Sequence, residues 1–295
     1  MGPTVVVKAV IPAAGFGSRL MPVTRAFPKE LIPVLDVPLI QLIVEEARLS
    51  GIKQIAFVVS QRKSVIRNYF SSNGLDEISA IKGNTQAVEQ LKRIINEVDL
   101  QFIDQPEQKG LGDAVLQAKT FVGDSPFVVM LGDTLTRSNV PVTRQLIDVF
   151  NTVNAPVIGV ESVAANRIDQ YGMIDAEHHS EGIYTINSLI EKPTIGSIDS
   201  TLAIAGRYLL PATIFNHLER TNIGRGGEIQ LTDAIAALIL QRPGYACRFS
   251  GRRLDLGSRT EFIRANILAA LDRKEYRDET LSLLEEILAD CNNDI

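Results

Sequence analysis

The stretch from Ala9 to Glu30, AVIPAAGFGSRLMPVTRAFPKE, constrains this chain more than any other. An apolar run, Val5 to Ile11, reads as a β-strand that breaks at Pro12 into a loop carrying Gly15, Gly17, Arg19 and Lys29. Glycine lets backbone N–H groups turn inward with no Cβ in the way, and such amides form a concave nest for anions. Arg19 adds a planar fork that matches phosphate oxygens, and Lys29 adds a point charge on a long stem. A dinucleotide fingerprint would need a third glycine at Leu20, and a P-loop would need a Gly-Lys-Ser/Thr ending. Neither is present. A Gly-x-Gly pair alone would be an ordinary surface loop. With two cations after an N-terminal strand, it points to a polyphosphate.

A net charge of -5 with no basic block to cover a phosphate backbone argues against a nucleic acid as the main partner, and a local Arg/Lys cluster for a small polyphosphate is compatible with it. With 45% hydrophobic and 22% charged residues, 295 residues suffice for a substantial globular core. Cys247 and Cys291 are far apart and lack metal-ligand spacing, so reduced thiols are expected. Val5 to Ile11 is too short for a signal peptide and is interrupted by Lys8, and no run reaches membrane-spanning length. The expectation is a cytoplasmic protein without a membrane partner.

Along the chain, Leu39 to Arg48 has helical apolar spacing and stops at Gly51, Gln54 to Val59 reads as a buried strand, and Lys63 to Phe70 as a short helix followed by a turn at residues 71–74. Gln86 to Val98 is a helix, Leu100 to Ile103 a strand, Leu111 to Thr120 a helix, and Pro126 to Leu131 a continuously apolar strand ending at Gly132-Asp133. This repetition predicts an α/β fold with a doubly wound, mixed but mainly parallel sheet and a site at the carboxyl ends of its strands. From Ala155 the texture changes to strands at Val157–Val160, Gly172–Ala176, Tyr184–Ile190 and Leu202–Leu209. Helices return at Pro211–Arg220, Leu231–Leu240, Thr260–Leu271 and near Glu279–Ala289. No hexapeptide β-helix period is visible.

Three further stretches carry candidate chemistry. Gln105, between a strand and a helix entered through Gly110-Leu111-Gly112, offers an amide donor and a carbonyl acceptor, as a pyrimidine edge requires; a polar helix-entry loop is the competing reading. Asp133 sits where α/β sheets place functional carboxylates, and helix capping is its competing role. Glu191-Lys192-Pro193 and Ala205-Gly206-Arg207-Tyr208 lie at or within predicted strands. Together, Pro12-Ala13-Ala14-Gly15-Phe16-Gly17-Ser18-Arg19, Phe27-Pro28-Lys29-Glu30-Leu31, Gln105, Asp133, Glu191-Lys192-Pro193, Leu254-Asp255-Leu256-Gly257 and Glu228 to Asp233 resemble the sugar-1-phosphate nucleotidylyltransferases. The order of motifs follows that family from Ala9 to about Phe262. The spelling is closest to its uridylyltransferase branch, although Gly132-Asp133-Thr134 looks more like thymidylyltransferase relatives.

The resemblance implies a nucleotide-diphospho-sugar transferase (Rossmann-like) fold with a small sugar-binding β subdomain. One domain spans 1–295, divided into a nucleotide-binding half (1–150), a sugar-binding half (151–257) and C-terminal helices (258–295). It implies transfer of the uridylyl group of UTP to glucose 1-phosphate, with Arg19, Lys29 and Lys192 catalytic. Ala13, Ala14, Gly15, Gly17, Gln105, Gly110 and Asp133 would bind nucleotide; Gly172, Glu191, Lys192 and Gly206 would bind sugar, and Asp133 and Asp255 would hold Mg²⁺. The glycines after Gln105 would let the base lie against backbone, and Gly206 would let the sugar ring approach. A thymidylyltransferase and a catalytically weak regulatory relative are the alternatives. A metal-dependent glycosyltransferase is disfavoured, since Asp133-Thr134-Leu135 lacks the second carboxylate of Asp-x-Asp. The amphipathic segment from Thr260 to Ala289 could supply a helical interface as readily as it could pack on its own chain, and the expected assembly is a homodimer or homotetramer.

Overall fold

A computed structural model describes residues 5–72 and 86–293, so Asn73 and Gly74 of the expected turn lie outside the described residues. β1 (Lys8–Pro12) leads into the glycine loop, and a ribbon of β2 (Pro33–Val34) and β3 (Val37–Pro38) delivers the chain to α1 (Leu39–Leu49). Then come β4 (Gln54–Val59), α2 (Ser64–Tyr69), α3 (Gln86–Glu97), β5 (Asp99–Asp104), α4 (Leu111–Gln117), α5 (Lys119–Val122), β6 (Phe127–Met130), β7 (Thr134–Arg137) and α6 (Val142–Val153). The second half runs through β8 (Val157–Ser162), β9 (Gly172–Ser180), β10 (Ile183–Glu191), β11 (Leu202–Leu210), α7 (Ile214–Leu218), α8 (Leu231–Ile239), β12 (Tyr245–Arg248), β13 (Arg252–Asp255), α9 (Arg259–Asp272) and α10 (Lys274–Asn293).

One nine-stranded sheet in the order β5-β4-β1-β6-β11-β8-β12-β10-β9 joins both halves of the chain. β5, β4, β1 and β6 are mutually parallel, as short apolar strands separated by helices require, whereas β11 and β10 run against their neighbours. β9 also returns to pair with the start of β11, through Leu202↔Ile174 and Ala203↔Met173, so this half of the sheet curls back on itself. Helices cover both faces: α1, α3, α6 and α9 contribute to one apolar cluster, and α4, α7 and α8 to the other. The doubly wound expectation is met.

Several boundaries differ from the sequence reading. Pro12 does not break β1; it is the strand's last residue, paired with Val58. Ala13 donates to the Val58 carbonyl at 2.8 Å, so odd-numbered residues point at β4 and Pro12 points toward β6, whose pairing already ends at Val10↔Val129. The missing proline N–H therefore falls where no ladder bond is needed. α6 has no counterpart among the expected helices, although Val142, Leu146, Ile147 and Phe150 are buried at helical spacing. Nor do β7, β12 and β13 among the expected strands, each being only four residues long. The single helix expected over Leu111–Thr120 is two, α4 and α5, with Ala118 between them.

Beneath the site lies a buried polar network. Arg207, fully enclosed in β11, donates to Glu46 of α1 through Nη2 at 2.7 Å, and also to the carbonyls of Gly206 (3.1 Å) and Thr134 (2.9 Å). Glu46 further accepts from the Thr143 N–H, Thr143 Oγ1 and Thr136 Oγ1 at 3.0, 2.7 and 2.7 Å. Burial raises the cost of the Glu46 charge, but Arg207 and the threonines outweigh it and hold the carboxyl below its usual range. One ion pair thus fixes α1, α6, β7 and β11 around residues 133–134 and 206.

Candidate active site

The carboxyl ends of β5, β4, β1 and β6 carry Gln105, Ser60, Ala13–Gly17 and Asp133 side by side, an arrangement dictated by the strand order. Ala13 and Ala14 are buried, and Gly15 stands with its Cβ position 3.9 Å from Lys29 Nζ. Gly17 is left-handed at φ +71 and accepts at its carbonyl from Thr24 Oγ1 at 2.8 Å, which folds the loop back on itself. A cavity of about 100 Å³ is lined by Gly15, Gly17, Arg19, Lys29 and Gly257.

Asp133 and Asp255, distant in sequence, are neighbours because β13 pairs antiparallel with β7, placing Asp255 opposite Thr134, while Leu256 N–H donates to the Asp133 carbonyl at 3.1 Å. Arg19 bridges them: Nη1 donates to Asp255 Oδ2 at 3.0 Å and Nη2 lies 3.7 Å from Asp133 Oδ2. Lys29 Nζ donates to Asp133 Oδ2 at 2.7 Å. Burial pushes the Asp133 carboxyl up, but Lys29 and Arg19 outweigh it and hold it at about 2 against an ordinary 3.8. Burial likewise works against the Lys29 charge, yet Asp133 and Glu30 raise its ammonium above the ordinary value. Both carboxylates lie within reach of one guanidinium, so they are close enough to flank one hard cation, which needs few protein oxygens and takes its other ligands from phosphate and water. Among the described residues no cluster of three or more metal-ligating side chains competes with this pair.

Next to Lys29, Glu30 is fully buried and receives Lys63 Nζ on both carboxylate oxygens at 2.8 Å. Burial dominates for both partners, raising Glu30 and lowering Lys63. Nothing in the sequence pairs these two residues; Glu30 enters there only as part of the Phe27–Leu31 motif.

On the far side of Asp133, Glu191 ends β10 and accepts from Thr232 Oγ1 at 2.7 Å; Lys192 follows in a left-handed conformation at φ 46, its side chain half exposed and its Nζ 3.7 Å from Glu191 Oε1. Gly172 starts β9 where a Cβ would stand 3.0 Å from Glu191 Oε2 and 3.3 Å from Thr232 Oγ1. Gly206 sits at φ +74 in a β11 bulge, with Leu131 and Thr134 each 3.2 Å from its Cβ position. Burial and the carboxylates of Glu191 and Asp133 push the Tyr208 phenol well above its ordinary value, so the sugar-side and metal-side candidates act on one buried ring. Tyr171, which sequence reasoning missed, carries the Arg253 guanidinium 4.3 Å from its ring centroid and receives Arg167 Nη2 on its hydroxyl at 2.6 Å. Only its position just before Gly172 could have drawn attention to it.

Two expectations need revision at the loop that follows β5. Gln105 does not present both halves of its amide, because Nε2 is committed to Asp113 Oδ2 at 2.6 Å and to the Gly110 carbonyl at 3.3 Å. The glycines after it also have a reason that involves no ligand: a Cβ at Gly110 would meet Glu228 Cβ at 2.7 Å, and one at Gly112 the Ile229 carbonyl at 2.8 Å. Residues 109–112 are hydrogen-bonded to Ile229 through Ile229 N–H to Lys109 carbonyl (2.7 Å) and Gly112 N–H to Ile229 carbonyl (2.8 Å). The Glu228–Asp233 motif is therefore the backing of the loop that carries Gln105.

A nucleotide-type loop at the strand ends, two flanking cations and two converging carboxylates define a phosphate-handling transferase class, and the chain belongs to the nucleotidyl transferase family, whose sequence model matches residues 8–270. Among relatives, it is 41% identical to UTP–glucose-1-phosphate uridylyltransferase 1 of Staphylococcus saprophyticus, over 95% of this chain and 98% of that one. It is also 41% identical to the UTP–glucose-1-phosphate uridylyltransferase of Bacillus subtilis, over 95% and 97%. Among solved structures it matches a UTP-bound UGPase from Acinetobacter baumannii at TM-score 0.86 and 35% identity (96% of this chain, 99% of that one). A UDP-glucose pyrophosphorylase complexed with UDP-glucose matches at 0.85 and 33% (91% and 100%). A putative thymidylyltransferase from Bacillus anthracis, at 22% identity and TM-score 0.72, shares the fold alone.

Proposed function

We propose that this protein is a nucleotidyltransferase that moves the uridylyl group of UTP to glucose 1-phosphate, giving UDP-glucose and pyrophosphate. The observation that carries this reading is the convergence of Asp133, Asp255, Arg19 and Lys29 beside Gly15 and Gly17, in a chain aligned over 95% of its length with curated uridylyltransferases. An oxygen of the sugar phosphate forms the new bond to the α-phosphorus of UTP while the bond to the bridging oxygen breaks, and the electron pair leaves with pyrophosphate. No protein base is needed, since a phosphate monoester with a second pKa of about 6 is already largely a dianion at neutral pH. Catalysis is then positioning and charge stabilisation.

In this reading Arg19 and Lys29 neutralise the departing pyrophosphate, Lys192 orients the sugar phosphate, and Glu191 takes sugar hydroxyls beside Gly172 and Gly206. Ala13, Ala14, Gly15, Gly17 and Gly110 line the nucleotide, and Gln105 reads the base. Asp133 and Asp255 would hold Mg²⁺, which when bound supplies positive charge to the phosphates of both substrates. The nucleotide side falls in residues 1–150 and the sugar side in 151–257. Association into a homodimer or homotetramer belongs to the same proposal, supported by Leu281, Leu283 and Leu288 standing exposed on α10. Among the described residues no helix is long and apolar enough to cross a membrane.

The thymidylyltransferase alternative is not favoured, since the relative of that kind shares the fold alone. Pyrophosphate release with Mg²⁺, crossing UTP, dTTP, ATP, CTP and GTP with glucose, galactose and N-acetylglucosamine 1-phosphates, tests the assignment. Turnover concentrated on UTP and glucose 1-phosphate is expected. A preference for dTTP would overturn the base assignment, and silence from folded protein would overturn the enzyme assignment in favour of a regulatory relative.

A further inference from the structure

Asp113 lies in the first turn of α4, 7% exposed, with both carboxylate oxygens occupied: Oδ2 accepts from Gln105 Nε2 at 2.6 Å and Oδ1 from Gln117 Nε2, one turn later, at 3.2 Å. An acidic residue there would also suit the helix dipole, but that would leave it free to face water. Instead it faces Gln105, itself 3% exposed, whose backbone is pinned by its N–H to the Val59 carbonyl at 2.7 Å.

A primary amide has nearly the same shape in its two orientations, and its neighbours decide which way the oxygen points. An ionised carboxylate can only accept. Asp113 therefore admits one orientation of Gln105, with the NH₂ directed at Asp113 and the Gly110 carbonyl and with Oε1 directed away. We infer that Asp113 is a positioning residue which fixes Gln105 as an acceptor toward the base, and thereby selects uracil over cytosine. This rests on the reading of Gln105 given under the proposed function.

The selection follows from the bases. Uracil offers a donor at N3–H, which Oε1 satisfies, whereas cytosine offers an unprotonated N3 whose lone pair faces the same oxygen. Thymine has the same N3–H as uracil, so Asp113 does not distinguish the two. The base lies away from the reacting phosphorus, so the contact is equally present in ground and transition states and its loss appears in KM.

The test is pyrophosphate release from glucose 1-phosphate with UTP, CTP and dTTP, by wild type, Asp113→Asn, Asp113→Thr and Asp113→Ala. A threonine hydroxyl donates as readily as it accepts, so it keeps a partner for Gln105 but leaves only the longer contact to the Gly110 carbonyl, at 3.3 Å, to direct the amide. Asparagine can still present an oxygen to Nε2. With Asp113→Thr and Asp113→Ala, the UTP-to-CTP ratio of kcat/KM is expected to fall about ten- to a hundredfold, the scale of one misdirected hydrogen bond, mainly through KM. The UTP-to-dTTP ratio stays put, and Asp113→Asn recovers most of the loss. Should the alanine variant fail to fold, the threonine variant decides. A UTP-to-CTP ratio unchanged in Asp113→Thr overturns the inference and leaves the Gln105 reading standing. A wild-type enzyme that uses CTP as well as UTP overturns both.

Discussion

Asp133→Asn removes one charge and almost no volume from the most strongly coupled carboxylate of the site. Asp133 titrates at about 2 in the folded protein against an ordinary 3.8, a gap of about 1.8 units. At 1.36 kcal/mol per unit this amounts to about 2 kcal/mol of folding stability in the metal-free protein. With about 2.1 cal/mol/K of unfolding entropy per residue, 295 residues give roughly 0.6 kcal/mol/K, so the variant should melt about 3 °C lower at pH 7. The sign is fixed by the direction of the shift. A depressed carboxyl contributes stability above its unfolded pKa and loses it as pH falls, so the difference between wild type and the Asp133→Asn variant should be full above about pH 5 and shrink from pH 4 toward pH 2. Denaturant unfolding in EDTA at pH 7, 4 and 2.5 measures it. A difference below about 0.5 kcal/mol at pH 7, or one that does not narrow in acid, would refute the argument that Lys29 and Arg19 are held by this carboxylate. Turnover should fall about 10²–10³-fold, the effect of removing one preorganised charge-stabilising group.

Breaking the buried Arg207–Glu46 pair by Arg207→Met alone should cost about 3–5 kcal/mol, while Arg207→Met with Glu46→Leu should cost much less, since the full desolvation penalty then disappears; equal, additive losses in a denaturation cycle would contradict this. Gly110→Ala, at φ +105 and with Glu228 Cβ 2.7 Å from the new atom, should lower the melting temperature by several degrees, whereas Gly51→Ala, at φ +93 with nothing within 4 Å, should cost only the backbone term of about 1–2 kcal/mol. Lys192→Ala is expected to raise KM for glucose 1-phosphate while leaving KM for UTP within about twofold, and steady-state kinetics with each substrate varied in turn would expose an unchanged glucose 1-phosphate response.

The chain from β1 to Asp133 was legible because its signals are local. Continuous apolar strands, helical spacing and a glycine loop each occupy a short run, and the strand order then sets Gln105, Ala13 and Asp133 side by side. What the sequence concealed are pairings across distance. Glu30 with Lys63, Glu46 with Arg207 and Gln105 with Asp113 bring together residues whose partners no periodicity marks, and β13 is too short to read without β7 opposite it. The glycines show the other limit: at Gly110 and Gly112 the residue type was noticed, but its cause is the backbone of Ile229, more than a hundred positions away. The same limit applies to Arg207, read beside Gly206 as a sugar-side strand residue and found at the centre of the network that holds that strand.

The antiparallel pairing of β13 with β7 has a bearing on biosynthesis. Asp255 reaches Asp133 through the pairing of residues 252–255 with β7, so on the ribosome β1, β4, β5 and β6 with their glycine loop are synthesised well before the second carboxylate. In the proposed reaction both carboxylates are needed, so a ribosome-stalled chain ending before Arg252 should retain no turnover.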